Sequence, residues 1–259
     1  MDSSVPIARA LQGKEATMTG VLTLYRTSVG KKVIMAVTGF ILVGFVVFHM
    51  YGNLKMYQGP VVFNEYAAGL RELGHPVFGH EHLLWVARIV LLASVVLHIW
   101  SAASLTLQSQ KTTGANSVGG MRRYGEKKRQ TGYAAYTMRY SGLLIFLFII
   151  YHLLHLTFGA VGYAPGEFQH PHNGEYQVYN NVVIGFQNPL ISGFYIITMV
   201  FLGLHLFHGV WSMFQTLGLN NAKYTGLLRG LAILIALAVA IGNISFPIAI
   251  MAGIVGPAV

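Results

Sequence analysis

Six of the chain's 11 histidines, His49, His98, His152, His155, His205 and His208, fall inside stretches otherwise built from Leu, Ile, Val, Phe and Gly. A neutral imidazole in apolar surroundings has three uses: it ligates a metal or haem iron, it relays protons, or it hydrogen-bonds a neighbouring helix. One lone histidine would be read as structural glue as readily as a ligand. Here at least one lies on each of four successive apolar stretches, while a fifth has none, and that distribution favours a shared task. The chain contains no cysteine. Its own residues therefore supply no disulfide, thiolate zinc site, iron–sulfur cluster or covalently attached c-type haem.

The elements that must position these rings follow from composition. Of 259 residues, 54% are apolar and 10% charged, against about 25% charged in soluble chains, which excludes an ordinary soluble enzyme. The formal charge of +9 could suit nucleic acid, but with this apolar content a membrane is the expected partner and nucleic acid is not. Five stretches reach the roughly 20 residues that cross a bilayer: Val33–Met56, Leu83–Leu107, Tyr140–Val161, Leu190–Gln215 and Leu227–Ile250. None alternates like a barrel strand, so the expected fold is an all-α integral bundle of five transmembrane helices. Residues 1–32 form an N-terminal segment, 33–252 the helical body and 253–259 a tail. The first twenty residues lack an apolar h-region and are not expected to be a cleaved signal peptide.

Basic residues gather on the cytoplasmic side of a membrane. Arg9, Lys14, Arg26, Lys31 and Lys32 precede or open the first span; Lys111, Arg122, Arg123, Lys127, Lys128, Arg129 and Arg139 surround the second connection; Lys223 and Arg229 lie in the fourth. The opposite side has only Lys55, Arg71 and Arg88, with the acids Glu65, Glu72, Glu81, Glu167 and Glu175. The N-terminus is thus expected in the cytoplasm and the C-terminus outside. Asn188-Pro189 pairs an N-cap residue with the residue best suited to a first helical position. The connection from Gly162 to Gln187 has neither Lys nor Arg, and a segment of that length is either ordered for a purpose or mobile.

Depth then sorts the histidines. Counted from Lys32, His49 lies about 25 Å from the cytoplasmic edge, and His152, counted from Arg139, about 20 Å. His98 and His205 sit about 15 Å from that edge on spans running the other way. Two pairs at matching depths, each joining two spans, are what two bis-histidine b-type haems stacked across a bilayer require. Gly39-x9-His49 and Gly142-x9-His152 share a spacing, in Thr38-Gly39 and Ser141-Gly142 contexts, and read as a weak internal repeat. Glycine lets a flat macrocycle or another helix approach the backbone. Gly209, one turn beyond His205, leaves space on the same face.

Thr38-Gly-Phe with Phe48-His49, Val95-Val-Leu-His98-Ile-Trp, Ser141-Gly142 with Tyr151-His152, and Gly193-Phe-Tyr with Leu204-His205-Leu-Phe-His208-Gly209-Val-Trp-Ser212 resemble the five-helix dihaem cytochrome b subunit of succinate:quinone oxidoreductases. These are the membrane anchors of succinate dehydrogenases and fumarate reductases of the cytoplasmic membrane. The resemblance covers essentially the whole apolar body. It implies an outer haem b on His49 and His152 and an inner haem b on His98 and His205, with His155 and His208 as neighbours. It further implies a flavoprotein subunit that oxidises succinate, an iron–sulfur subunit that relays electrons, and a membrane quinone, menaquinone from the dihaem pattern. On that reading the chain carries no catalytic residue of its own, and the run Arg122 to Arg129 lies under the iron–sulfur subunit or against anionic lipid.

One position departs from the pattern. Some fumarate reductases of the family place a proton-carrying glutamate two residues before the inner ligand of the fourth span, where this chain has Gly203. The external acids, with His170 and His172, are candidates for quinone protonation, although such carboxylates are usually only solvated. Three other readings compete: the cytochrome b subunit of a membrane hydrogenase or formate dehydrogenase, a proton-coupled transporter, and joint chelation of a metal by the two His-x-x-His pairs.

Overall fold

A computed structural model describes residues 23–113, 133–172 and 174–258. Arg9, Lys14 and the basic run from Arg122 to Arg129 lie outside the described residues. Seven α-helices are described: α1 (Ser28–Leu54), α2 (Pro60–Gly69), α3 (His82–Thr113), α4 (Tyr133–His152), α5 (Val178–Gln187), α6 (Pro189–Thr216) and α7 (Thr225–Met251). Five of them, α1, α3, α4, α6 and α7, include segments long and apolar enough to cross a membrane. The chain is a multi-pass membrane protein. Its lipid-facing character is plainest on α3, where Trp85, Ile89, Leu92 and Val96 are all more than half exposed; a surface that apolar is stable only against hydrocarbon.

Hydrogen bonding sets the ends of these helices more widely than hydropathy does. α1 starts at Ser28, five residues before the first long apolar run, because Thr27 caps it by accepting from the Gly30 amide at 3.0 Å. The helix thereby takes in Lys31 and Lys32, and the Lys31 ammonium reaches the Trp100 ring of α3. Asn188 caps α6 as its sequence implies: its carboxamide oxygen accepts from the amides of Leu190 and Ile191, and Pro189 fills the first position. The third span differs from expectation at both ends. It begins at Tyr133 and closes at Thr157 rather than Val161, passing after His152 into one π-turn, Leu153–Thr157, in which the Phe158 amide donates to the Leu153 carbonyl at 2.9 Å. Gly159 and Gly162 then turn the chain with φ of 61° and 84°, a region side chains rarely adopt.

α6 is the central helix: it packs on α7, α4 and α1, while α1 also packs on α3. The largest buried cluster lies at the far end of α1, where Met56, Phe63, Tyr179, Val183, Phe186, Tyr195 and Phe246 meet. There α2 and α5 cover the bundle. The long third connection is ordered by that cover: the Tyr179 amide donates to the Asn64 side chain at 3.0 Å, the Tyr179 hydroxyl to the Gly256 carbonyl, and Asn180 holds the Ala258 amide. Asn181, buried, clamps Gln169 by accepting from its amide at 2.9 Å and donating to its carbonyl at 2.8 Å.

Candidate functional site: two histidine pairs

Four of the six span histidines meet two by two. His49 of α1 and His152 of α4 have ring centres 5.9 Å apart and planes at 89°. His98 of α3 and His205 of α6 have ring centres 6.5 Å apart and planes at 60°. Among the described residues, the helices that carry each pair have no packed backbone interface with one another: α1 packs on α3 and α6, and α4 on α6. The rings thus reach across between helices that are packed on other neighbours.

A hydroxyl oxygen lies against each ring of the His98–His205 pair. The Thr38 hydroxyl donates to the Ile34 carbonyl at 2.7 Å, and the Ser141 hydroxyl donates to the Thr137 carbonyl. Each oxygen also lies close to an imidazole Nδ1, Thr38 at 3.2 Å from His98 and Ser141 at 3.1 Å from His205. A hydroxyl has one hydrogen to give, so with that hydrogen on a carbonyl it can only accept from the imidazole. With the hydroxyl hydrogens so placed, both rings carry hydrogen on Nδ1 and keep a lone pair on Nε2, the state in which an imidazole ligates metal.

Glycine lets these rings lie against the facing helices. A Cβ at Gly39 would stand 3.4 Å from His98 Cε1, and one at Gly142 3.5 Å from His205 Cε1. The repeated Thr-Gly and Ser-Gly pairs thus serve the histidines of the next membrane-spanning helix, His98 on α3 and His205 on α6, not the histidine ten residues further along their own. Gly209 looks toward Met138 of α4, whose Cε would lie 3.8 Å from a Cβ there. Gly203 is buried against α7, where the Ala240 methyl would stand 3.1 Å from a Cβ at this position. A glutamate there would collide with the neighbouring helix.

The outer pair is held differently. His49 stacks on Phe45 with ring centres 5.2 Å apart. Phe148, one turn before His152 on the same helix, lies beside the His152 ring. The Tyr195 hydroxyl sits between two imidazoles, 3.3 Å from His152 Nδ1 and 2.9 Å from His155 Nδ1. His155 is fully buried, and among the described residues its Nε2 has no hydrogen-bond partner. His208 lies beside Phe207, half-buried, and joins neither pair. Tyr195 escaped the sequence reading because a tyrosine on an apolar face looks like core packing; its only signal was its place in Gly193-Phe-Tyr.

The residues fit a haem iron. An iron bound to two imidazole nitrogens at about 2 Å each, with about 1 Å more from nitrogen to ring centre, sets the ring centres about 6 Å apart. Each pair would offer two imidazole nitrogens, and in the His98–His205 pair a hydroxyl oxygen lies against the Nδ1 of each ring. The two His-x-x-His segments do not pair their first histidines with each other: His152 faces His49 and His205 faces His98. Several of the acids that the sequence offers for quinone protonation already have partners. Glu81 pairs with Arg71 at 3.0 Å, Glu72 with His80, and Glu167 accepts from the Ala164 amide; His172 and Glu175 pair through their backbones. No family model, curated protein or solved structure matches the chain.

Proposed function

We propose that this chain is the membrane-anchor cytochrome b subunit of a succinate:quinone oxidoreductase, holding one haem b between His98 and His205 and a second between His49 and His152. The observation that supports this most directly is that four imidazoles from four helices meet in two pairs at separations an iron accepts. Haem iron would supply a one-electron carrier at each level. The chain's residues do the rest: Thr38 and Ser141 keep the inner nitrogens ready to ligate, Gly39 and Gly142 let those rings approach the helices, and the apolar walls exclude water. The ten-residue step from Gly39 to His49 separates the two levels by about 15 Å along the helix.

The charge asymmetry supports a cytoplasmic N-terminus in the cytoplasmic membrane, with the inner pair nearer the basic side. On that side an iron–sulfur subunit would deliver electrons from a flavoprotein subunit, and on the outer side a quinone, menaquinone by the dihaem resemblance, would exchange them. The proton route through a carboxylate at position 203 is absent.

A reduced-minus-oxidised spectrum of the protein purified from its own membrane, with identification of the subunits that accompany it, tests this reading. Two b-type haems per chain and a covalent-flavin partner are expected. A nickel- or molybdenum-containing partner would replace it with a hydrogenase or formate dehydrogenase, and a protein without Soret absorption would end the haem reading altogether.

A further inference from the structure

The Tyr195 hydroxyl bridges His152 and His155 through the Nδ1 atom of each. Such a bridge can run in two directions. In one, His152 Nδ1–H donates to the Tyr195 oxygen and the Tyr195 O–H donates to His155 Nδ1. In the other, His155 Nδ1–H donates to Tyr195, whose O–H donates to His152 Nδ1. The proton count is the same in both, because each imidazole stays neutral and merely exchanges which nitrogen carries its hydrogen. The ligand chemistry is opposite. Only the first leaves His152 Nε2 with a lone pair; the second puts a hydrogen there and blocks it.

We propose that Tyr195 and His155 are positioning residues for the outer iron: the bridge running from His152 through Tyr195 to His155 fixes His152 as a ligand and raises the electron-donating power of its ring. This rests on the haem reading above. The outer site is thereby set apart from the inner one. Thr38 and Ser141 have given their hydrogens to carbonyls of their own helices, so each is the end of its bridge. Tyr195 passes its hydrogen to a second imidazole, and a donor whose own acceptor is engaged is polarised further. A ligating imidazole that gives its hydrogen to a better acceptor is a stronger base and favours the oxidised metal.

The packing around His155 supports a fixed role for that ring. A Cβ at Gly185 would stand 2.7 Å from His155 Nε2, and one at Gly162 would stand 2.9 Å from it. Tyr163 lies beside the ring with centres 5.0 Å apart and gives its own hydroxyl hydrogen to the Asn181 carbonyl at 2.8 Å. The π-turn begins at the residue after His152 and includes His155; such turns re-aim side chains that a regular helix would place otherwise. These neighbours hold Nδ1 toward Tyr195; ligation through His152 Nε2 then puts the His155 hydrogen on a buried Nε2 that has no acceptor among the described residues, a cost the iron–nitrogen bond must offset.

Redox titration of the purified protein, with its accompanying subunits, distinguishes the outcomes. Tyr195→Phe keeps the ring packed among Phe148 and Phe186 and removes both bonds, so the outer haem's midpoint potential should shift upward while the inner haem's stays. His155→Leu removes only the second link and should shift the outer potential the same way by a smaller amount. Ser141→Ala should move the inner potential and not the outer. Wild-type protein with two haems and an outer potential unchanged in Tyr195→Phe would overturn the inference and leave the proposed function standing. An unchanged potential in His155→Leu beside a shifted one in Tyr195→Phe would overturn the relay through His155. Wild-type protein without two haems would overturn both readings together.

Discussion

Thr38 and Ser141 each place a hydroxyl within reach of a carbonyl of their own helix and of an imidazole Nδ1 60 or 64 residues away, and a hydrogen given to the carbonyl leaves the oxygen to accept from the ring. Replacing either by alanine removes one such bond, about 1 kcal/mol. Inner-haem retention in detergent should weaken several-fold for Thr38→Ala or Ser141→Ala, measured as haem per chain, with the outer haem unaffected. Gly39 makes a sharper distinction. Gly39→Ala brings a methyl to ordinary contact distance from His98 and should keep both haems, whereas Gly39→Leu drives a branched chain into the ring and should lose the inner haem alone. The histidines and the repeated hydroxyl-glycine pairs were legible in the sequence, because imidazole at membrane depth is rare. Their assignment to each other was not: depth counting places a residue at a level but does not say which facing ring its glycine or hydroxyl meets. Tyr195 shows the same limit, since only contact with two imidazoles distinguishes it from a core tyrosine.

At the scale of the element, α6 was readable from Asn188-Pro189, because a cap satisfies amides that any helix leaves open. Asn188→Ala should cost about 1 kcal/mol, seen as a lower thermal midpoint without change in the haem spectrum. The π-turn after His152 was not readable, nor was α5. The turn is imposed by the residues just beyond it, where the Gly159 position lies against the Phe168 ring and Gly162 against His155; the ten-residue α5 carries no charge to mark a polar face and gains its order from α2 and the tail. Asn181→Ala would leave the Gln169 amide and carbonyl without their clamp, a loss of about 1–3 kcal/mol, and limited proteolysis should then cut between residues 163 and 177 before the spans unfold. Tyr163, in the same connection, has its phenol held above the ordinary value near 10, first by burial and then by the nearby Tyr151 and Glu167. The folded chain therefore holds that proton more tightly than the unfolded chain. The associated stability is complete below about pH 10 and is lost as pH rises above it; Tyr163→Phe should flatten that alkaline fall in the thermal midpoint.

The whole molecule joins a lipid-facing exterior to two imidazole pairs stacked along its length. Five spans and an all-helical body were legible because hydrocarbon allows few alternatives. The cover of α2 and α5 over one end was not, since it depends on Asn64, Asn180 and Asn181 finding partners far away in sequence. Orientation is testable on a chain free of cysteine: Lys223→Cys should react with a membrane-impermeant thiol reagent only from the cytoplasmic side, and Glu65→Cys, at an exposed position, only from outside. Cytoplasmic labelling of Glu65→Cys would invert the molecule and put the His49–His152 pair, not His98–His205, nearer the cytoplasm. The most direct test of the central claim is to replace each of His49, His98, His152 and His205 by alanine and record which haem disappears from the reduced-minus-oxidised spectrum. His98→Ala and His205→Ala should lose one and the same haem, while His49→Ala and His152→Ala should lose the other. Losses grouped in any other way, or a wild-type spectrum with no haem to lose, would contradict it.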